Sequence, residues 1–123
     1  MLIERKEILN EDKSIGYIEA VFNSDNVLKT TYFPKVQRLY IAFSRGHTYS
    51  YANITKELYD EFEVADSQGK FFHSKINNKA KYPTRKEFTL YPHEVKELKE
   101  VVKNKLTDDA IREAEENQID GQL

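Results

Sequence analysis

The chain has 123 residues, 33% of them charged with a net charge of -2, eight tyrosines and seven phenylalanines, and neither tryptophan nor cysteine. That length gives one ordinary domain with a single core and excludes a catalytic domain joined to a separate binding domain. The missing cysteines exclude disulfides, thiolate nucleophiles and Cys-based zinc sites, and the near-neutral balance excludes a global basic field of the kind that draws proteins to nucleic acid.

The opening "MLIERKEILN" breaks its apolar residues with charge every second or third position, so it does not read as a signal peptide, and no apolar run approaches the ~20 residues of a membrane span. A cytoplasmic protein without membrane contact is expected. "LIERKEIL" is a candidate strand, followed by "IGYIEAVF", "VLKTTYF", "RLYIAF" and "TYSYANI", all rich in β-branched and aromatic residues and separated by the turn-formers "EDKS", "NSDN", "PKVQ" and "SRGH". This pattern predicts an antiparallel meander. Alternation puts Leu39, Ile41 and Phe43 on one face, Tyr40 and Ala42 on the other, and Tyr49 and Tyr51 together on the return strand. Gly46 supplies the positive φ of a tight hairpin, and Arg45 beside it favours a bulged turn.

From Thr55 the period changes. Thr55 caps a helix with Glu57 in its first turn and an apolar stripe of Leu58, Phe62 and Ala65, while Asp60, Glu61 and Glu63 are expected on its solvated face. Ser67 and Gly69 end it, and a second short helix spaces Phe72 and Ile76 four apart. "NNKAKYPT" reads as a loop and "KEFTL" as a last strand. Pro92 then opens a charged helix striped by Val95, Leu98, Val102 and Leu106, Thr107 with Asp108 and Asp109 starts another, and the tail "NQIDGQL" is expected to fray. The fold class is α+β: an antiparallel sheet with short helices packed on one face and a C-terminal helical extension. The whole of 1–123 is one domain, with an N-terminal strand region 1–22 and C-terminal helices 92–117 as extensions.

Chemistry is sparse. His47, His73 and His93 are too far apart for a local ligand pair, so no metal is expected, and "SQGK" matches S-x-x-K without the supporting motifs of acyl-transferring serine enzymes. No catalytic residue and no cofactor are assigned. Binding is easier to motivate. Tyr49 and Phe71 offer flat faces to a base, Arg45, Lys70 and Arg85 can donate to phosphate, and Asn77 and Asn78 can exchange hydrogen bonds with ribose hydroxyls. The N–H groups at Ser67 to Lys70 open a helix, a favourable place for an anion. Tyr51 and Phe72 are expected in the core.

From "NSDNV" through "RLYIAFSRGHTYSYANITKELYDEFEVADSQGKFFHSKI" to "YPTR" the chain resembles the KTSC domain, a module named after the C-terminus of some lysyl-tRNA synthetases and also found alone. The marks are Ser24 before a strand, Tyr49 and Tyr51 after Gly46, Tyr59 on the following helix, and Ala65, Ser67, Gly69, Phe72 and Ile76 in an A-x-S-x-G-x-x-F-x-x-x-I frame, over about residues 23–85. The resemblance implies a small sheet with helices and an RNA-binding role without a defined site. The whole chain also resembles phage proteins that counter Thoeris defence, which implies a non-catalytic sponge for a cyclic ADP-ribose-type signal. A Kd near ~1 nM needs about 12 kcal/mol, whereas a ligand of about 35 heavy atoms supplies roughly 10 kcal/mol even when nearly all of it is enclosed. Sequestration therefore calls for a pocket between protomers of a homo-oligomer, with the stripe from Val95 to Leu106 as an assembly surface. RNA binding is the alternative, and a structural or protein-interaction domain the third reading.

Overall fold

The computed structural model describes the backbone of residues 1–121 and the side chains of residues 1–116. Six strands, β1 (Leu2–Leu9), β2 (Ile15–Phe22), β3 (Val27–Phe33), β4 (Arg38–Phe43), β5 (His47–Tyr51) and β6 (Thr84–Thr89), form one sheet. Every strand pairs antiparallel with its sequence neighbour, in the order β1 to β6, so the α+β meander expected from sequence is the observed fold.

Register decides which face each side chain serves. Ile18 pairs with Tyr32, Tyr32 with Leu39, and Leu39 with Tyr51, so these four share one face, and all are buried. The helices α1 (Lys56–Val64) and α2 (Gln68–Phe71), with a π-helical turn over Phe72–Ile76, close this inner face. Thr55 caps α1, its hydroxyl accepting from the Leu58 N–H, as its position in sequence predicts. Tyr59 stacks on Tyr32 with centroids 4.5 Å apart and planes 6° from parallel, and Phe62 meets Phe22 edge-on at 5.4 Å. The Gln68 amide, fully buried, donates to the Phe62 and Ala65 carbonyls and so caps the end of α1. The turn before β5 is bulged: the Gly46 N–H bonds the Phe43 carbonyl at 2.8 Å and Gly46 adopts φ +94°.

Several expectations are corrected. Ala65 is not in the stripe; it is the extended C-cap of α1, and the buried set is Tyr59, Phe62 and Glu63. Glu63 leaves the solvated face because Arg5 Nε of β1 donates to its Oε1 at 2.5 Å. The C-terminal region is one helix, α3 (Pro92–Gly121), with no break at Thr107. The Thr107 hydroxyl donates to the Lys103 carbonyl inside the helix, so the side chain that was to cap a new helix bonds back into the existing one. The helix also continues through most of the tail expected to fray; Gln122 and Leu123 lie outside the described residues. The short helices α1 and α2 share the inner face as expected, and the extension α3 lies on the other. α3 crosses the outer face at the Gly46 end, where Leu98 borders Val21 and Lys29, and Lys99 and Val102 border Leu28 and Ser44.

Candidate functional site

Among the described residues none covers the rest of the outer face, and register assembles a row of side chains there. Tyr17 on β2, Phe33 on β3 and Tyr40 on β4 alternate with the buried residues of their strands, and all three are half-buried. Tyr17 and Phe33 have ring centroids 5.4 Å apart at 36°, and Phe33 and Tyr40 lie 5.7 Å apart, edge to face. Arg38 stands directly across from Phe33 in the β3–β4 register.

A polar network continues the row to the sheet edge. Arg38 Nη1 donates to the Ser50 hydroxyl at 2.8 Å, that hydroxyl donates to Glu87 Oε1 at 2.8 Å, and Arg85 Nε donates to the same oxygen at 2.6 Å. Ser50 is fully buried, so its hydroxyl fixes both neighbours from below. The bonds from Arg85 and then Ser50 hold the Glu87 carboxyl below the usual carboxylate range, and Glu87 in turn raises the Arg85 guanidinium, with Tyr40 adding to the effect. Arg85 is thus held directly by the Glu87 carboxylate, and Arg38 is tied to the same oxygen through the Ser50 hydroxyl.

The residues proposed from sequence are not gathered into one place. Tyr49 packs edge-on against Phe43 at 6.1 Å and Phe71 against Phe62 at 6.0 Å, both on the inner face and partly inserted in the core. Arg85 lies on the outer face, since it pairs with Ser50, so the sheet itself separates it from those rings. Arg45 is exposed at the bulged turn, and Asn77 and Asn78 are exposed beyond the π turn. Asn78 Oδ1 already accepts the Lys81 N–H at 3.1 Å. Lys70 is exposed on α2, but its N–H, the anion donor expected there, is taken by the Ser67 hydroxyl at 3.2 Å. Tyr51 and Phe72 are core residues, as expected.

Lys70 does border an open polar cleft of about 400 Å³ with Ser24, Asn26, Ser67, Gly69 and His73. The marked residues there have structural work. Ser24 Oγ accepts the Asn26 and Val27 N–H groups, Ser67 caps α2, and Gly69 lacks the Cβ that would lie 2.8 Å from Asn26 Nδ2. Together they seat the β2–β3 turn against α2. Among the described residues, no group of three or more His, Cys, Asp or Glu side chains stands where it can hold a metal ion. No described helix is long and apolar enough to cross a membrane.

Tyr17, Phe33, Arg38, Tyr40, Ser50 and Glu87 were missed as site residues. Their signal was the alternation that put Tyr40 opposite Leu39 and Ile41, applied strand by strand.

A meander sheet covered by helices on one face, with an aromatic and arginine row open on the other, defines a small α+β module. The family comparison adds to this: residues 23–82 match the family described as KTSC domain. A crystal structure of a KTSC domain protein from Yersinia pestis is similar, with 28% identity and a TM-score of 0.53, over 57% of this chain and 96% of that one. No curated protein matches. β1, β2, β6 and α3 lie outside the matched segment.

Proposed function

We propose that this chain is a non-catalytic module that binds single-stranded RNA on the open outer face of its sheet. The observation that carries the reading is the row Tyr17, Phe33 and Tyr40 on three adjacent strands, continued by Arg38 and Arg85. Neighbouring strands are ~4.8 Å apart, a spacing over which successive unpaired bases can be laid on successive rings. Stacking is worth ~1 to 3 kcal/mol per base and tolerates any base, while the two guanidiniums can grip phosphate oxygens in pairs. A duplex hides its base faces, so it is a poor competitor. The net charge of -2 limits phosphate neutralisation, and the salt dependence of binding should be shallow.

Fluorescence anisotropy with a labelled single-stranded oligoribonucleotide tests this. Tyr40→Ala should weaken binding by ~1 to 3 kcal/mol, about 5- to 150-fold, without a change in salt slope. Equal affinity for single strand and duplex, or an unaffected Tyr40→Ala variant, would remove the sheet face from the function.

Sequestration of a cyclic ADP-ribose-type ligand is the second reading, favoured by the near-neutral charge, which suits a ligand with few phosphates. The clefts of one protomer are open to solvent, so enclosure falls to a second protomer, with Arg45, Lys70 and Phe71 as the groups to test. Calorimetric titration separates the two: nanomolar binding of such a ligand, unaffected by Tyr40→Ala, would replace the RNA reading.

A further inference from the structure

α3 is seated on the sheet only at its beginning. Val95 lies against the Gly46 turn and Leu98 borders Val21 and Lys29. The exposed Lys99 and half-buried Val102 stand at the margin, beside Leu28 and Ser44 on one side and the start of an apolar strip on the other. The shallow apolar strip beyond, around Leu106, Ala110 and Ile111, is lined by α3 residues alone. The fourteen residues from Lys103 to Glu116 span roughly 21 Å at 1.5 Å per residue. Leu106 and Ile111 are exposed there, at 37% and 54%.

Glu94 in the first turn of α3 suits the helix dipole, but beyond that turn the charge runs against it. Helices are stabilised by acids near the N-terminus and bases near the C-terminus. Here Lys96, Lys99, Lys103 and Lys105 lie in the first half among Glu94, Glu97 and Glu100, while Asp108, Asp109, Glu113, Glu115 and Glu116 follow, offset by Arg112 alone, so the negative charge is concentrated in the second half. The only ion pair the described part of the helix makes is Lys105 with Asp109, at 3.5 Å. A helix with this arrangement is best matched by one of the same sequence running the other way.

We propose that the outer part of α3 pairs antiparallel with α3 of a second copy of this chain, about a twofold axis at Leu106. Lys99, Leu106 and Glu113 recur every seven residues and so share one helix face. In an antiparallel pair centred on Leu106, each Lys99 meets the Glu113 of the other copy, Val102 meets Ala110, and Leu106 meets itself. A parallel pair would set lysine against lysine and glutamate against glutamate. The interface is isologous, as closed two-copy assemblies require. This inference rests on α3 and not on the sheet face, so the RNA reading can fail without it.

The absence of cysteine makes the register directly testable. In the full chain, Leu106→Cys should form an interchain disulfide on mild oxidation, whereas Lys99→Cys should cross-link only when mixed with Glu113→Cys. Light scattering at low salt should give twice the chain mass, falling to the single-chain mass for Lys99→Glu and returning to double when Glu113→Lys is added. These side chains are exposed, so the near-ultraviolet circular dichroism of each variant should match the parent and exclude misfolding. A single-chain mass throughout the micromolar range at low salt would overturn the proposal. So would self-cross-linking of Lys99→Cys as fast as that of Leu106→Cys, or no rescue by the second charge reversal.

Discussion

Phe72 is 7% exposed and its ring meets Phe43 at 5.2 Å and Tyr51 at 5.4 Å, both edge-on. Phe72→Ala removes that wedge between sheet and π turn, and should lower stability by about 3 to 5 kcal/mol in a denaturant melt. Arg85 shows the opposite behaviour. It is exposed and bonded only through Glu87 and the Tyr40 neighbourhood, so Arg85→Ala should leave the melting temperature nearly unchanged. The same variant should weaken binding of a single-stranded oligoribonucleotide by ~1.5 to 3 kcal/mol, the range for hydrogen bonds to charged groups. Gly46 is constrained twice, by its φ of +94° and by the Leu90 carbonyl and a Val95 methyl, each 3.1 Å from where a Cβ would stand. Gly46→Ala should cost at least the ~1 to 2 kcal/mol of a left-handed residue, read as a drop in denaturant midpoint. The core roles of Phe72 and Tyr51 were legible because burial follows from spacing. The aromatic row was not, because Tyr17, Phe33 and Tyr40 become neighbours only once three strands have been registered, and register depends on turn geometry that no single strand carries.

At the level of elements, the strands read well because their turn-formers are unambiguous, and α1 read well because Thr55 is followed by a helical period. α3 was divided at Thr107 for a physical reason. Thr-Asp-Asp is a good N-cap, but the hydroxyl has a competing acceptor in the Lys103 carbonyl one turn back, and an uninterrupted helix supplies it. β1 holds a second example. Arg5 and Glu63 are 58 residues apart in sequence, and nothing local announces that a carboxylate on a charged helix will be drawn inward. Glu63 Oε2 has no hydrogen-bond partner and is buried. Arg5→Ala therefore leaves a buried carboxylate uncompensated and should destabilise by ~3 to 5 kcal/mol, whereas Glu63→Gln, which keeps shape and an acceptor, should cost less. Chemical denaturation of the two variants distinguishes a buried pair from a surface one, for which both losses would be under ~1 kcal/mol.

For the whole molecule, the buried tyrosines set a limit at high pH. Burial pushes Tyr32 up to about 12, and it pushes Tyr51 and Tyr59 higher still. Unfolded tyrosine titrates near ~10, so between these values the native state holds protons that the unfolded chain has released. The stability these groups provide is thus complete below about pH 10 and is lost as the pH rises through the folded values. In an alkaline titration the share of the tyrosinate absorbance that belongs to these three rings should appear only together with loss of secondary structure. Smooth ionisation of all eight tyrosines with the fold intact would show that these rings are accessible.

The sheet order has a consequence for how the chain acquires its structure. Each strand bonds to the one synthesised just before it, by short connections from β1 to β5 and across residues 52–83 from β5 to β6. Loop closure is therefore inexpensive from β1 to β5, and that part of the sheet can grow hairpin by hairpin. The pairing of β6 with β5 and the seating of α3 on β2 and β3 join segments far apart in sequence, as does the return of α1 and the π turn onto the sheet, with Tyr59 seated on Tyr32 and Phe72 against Phe43. Docking of that helical segment is the step that should limit the folding rate, so Tyr59→Leu should slow refolding while substitutions on the outer face act mainly on unfolding.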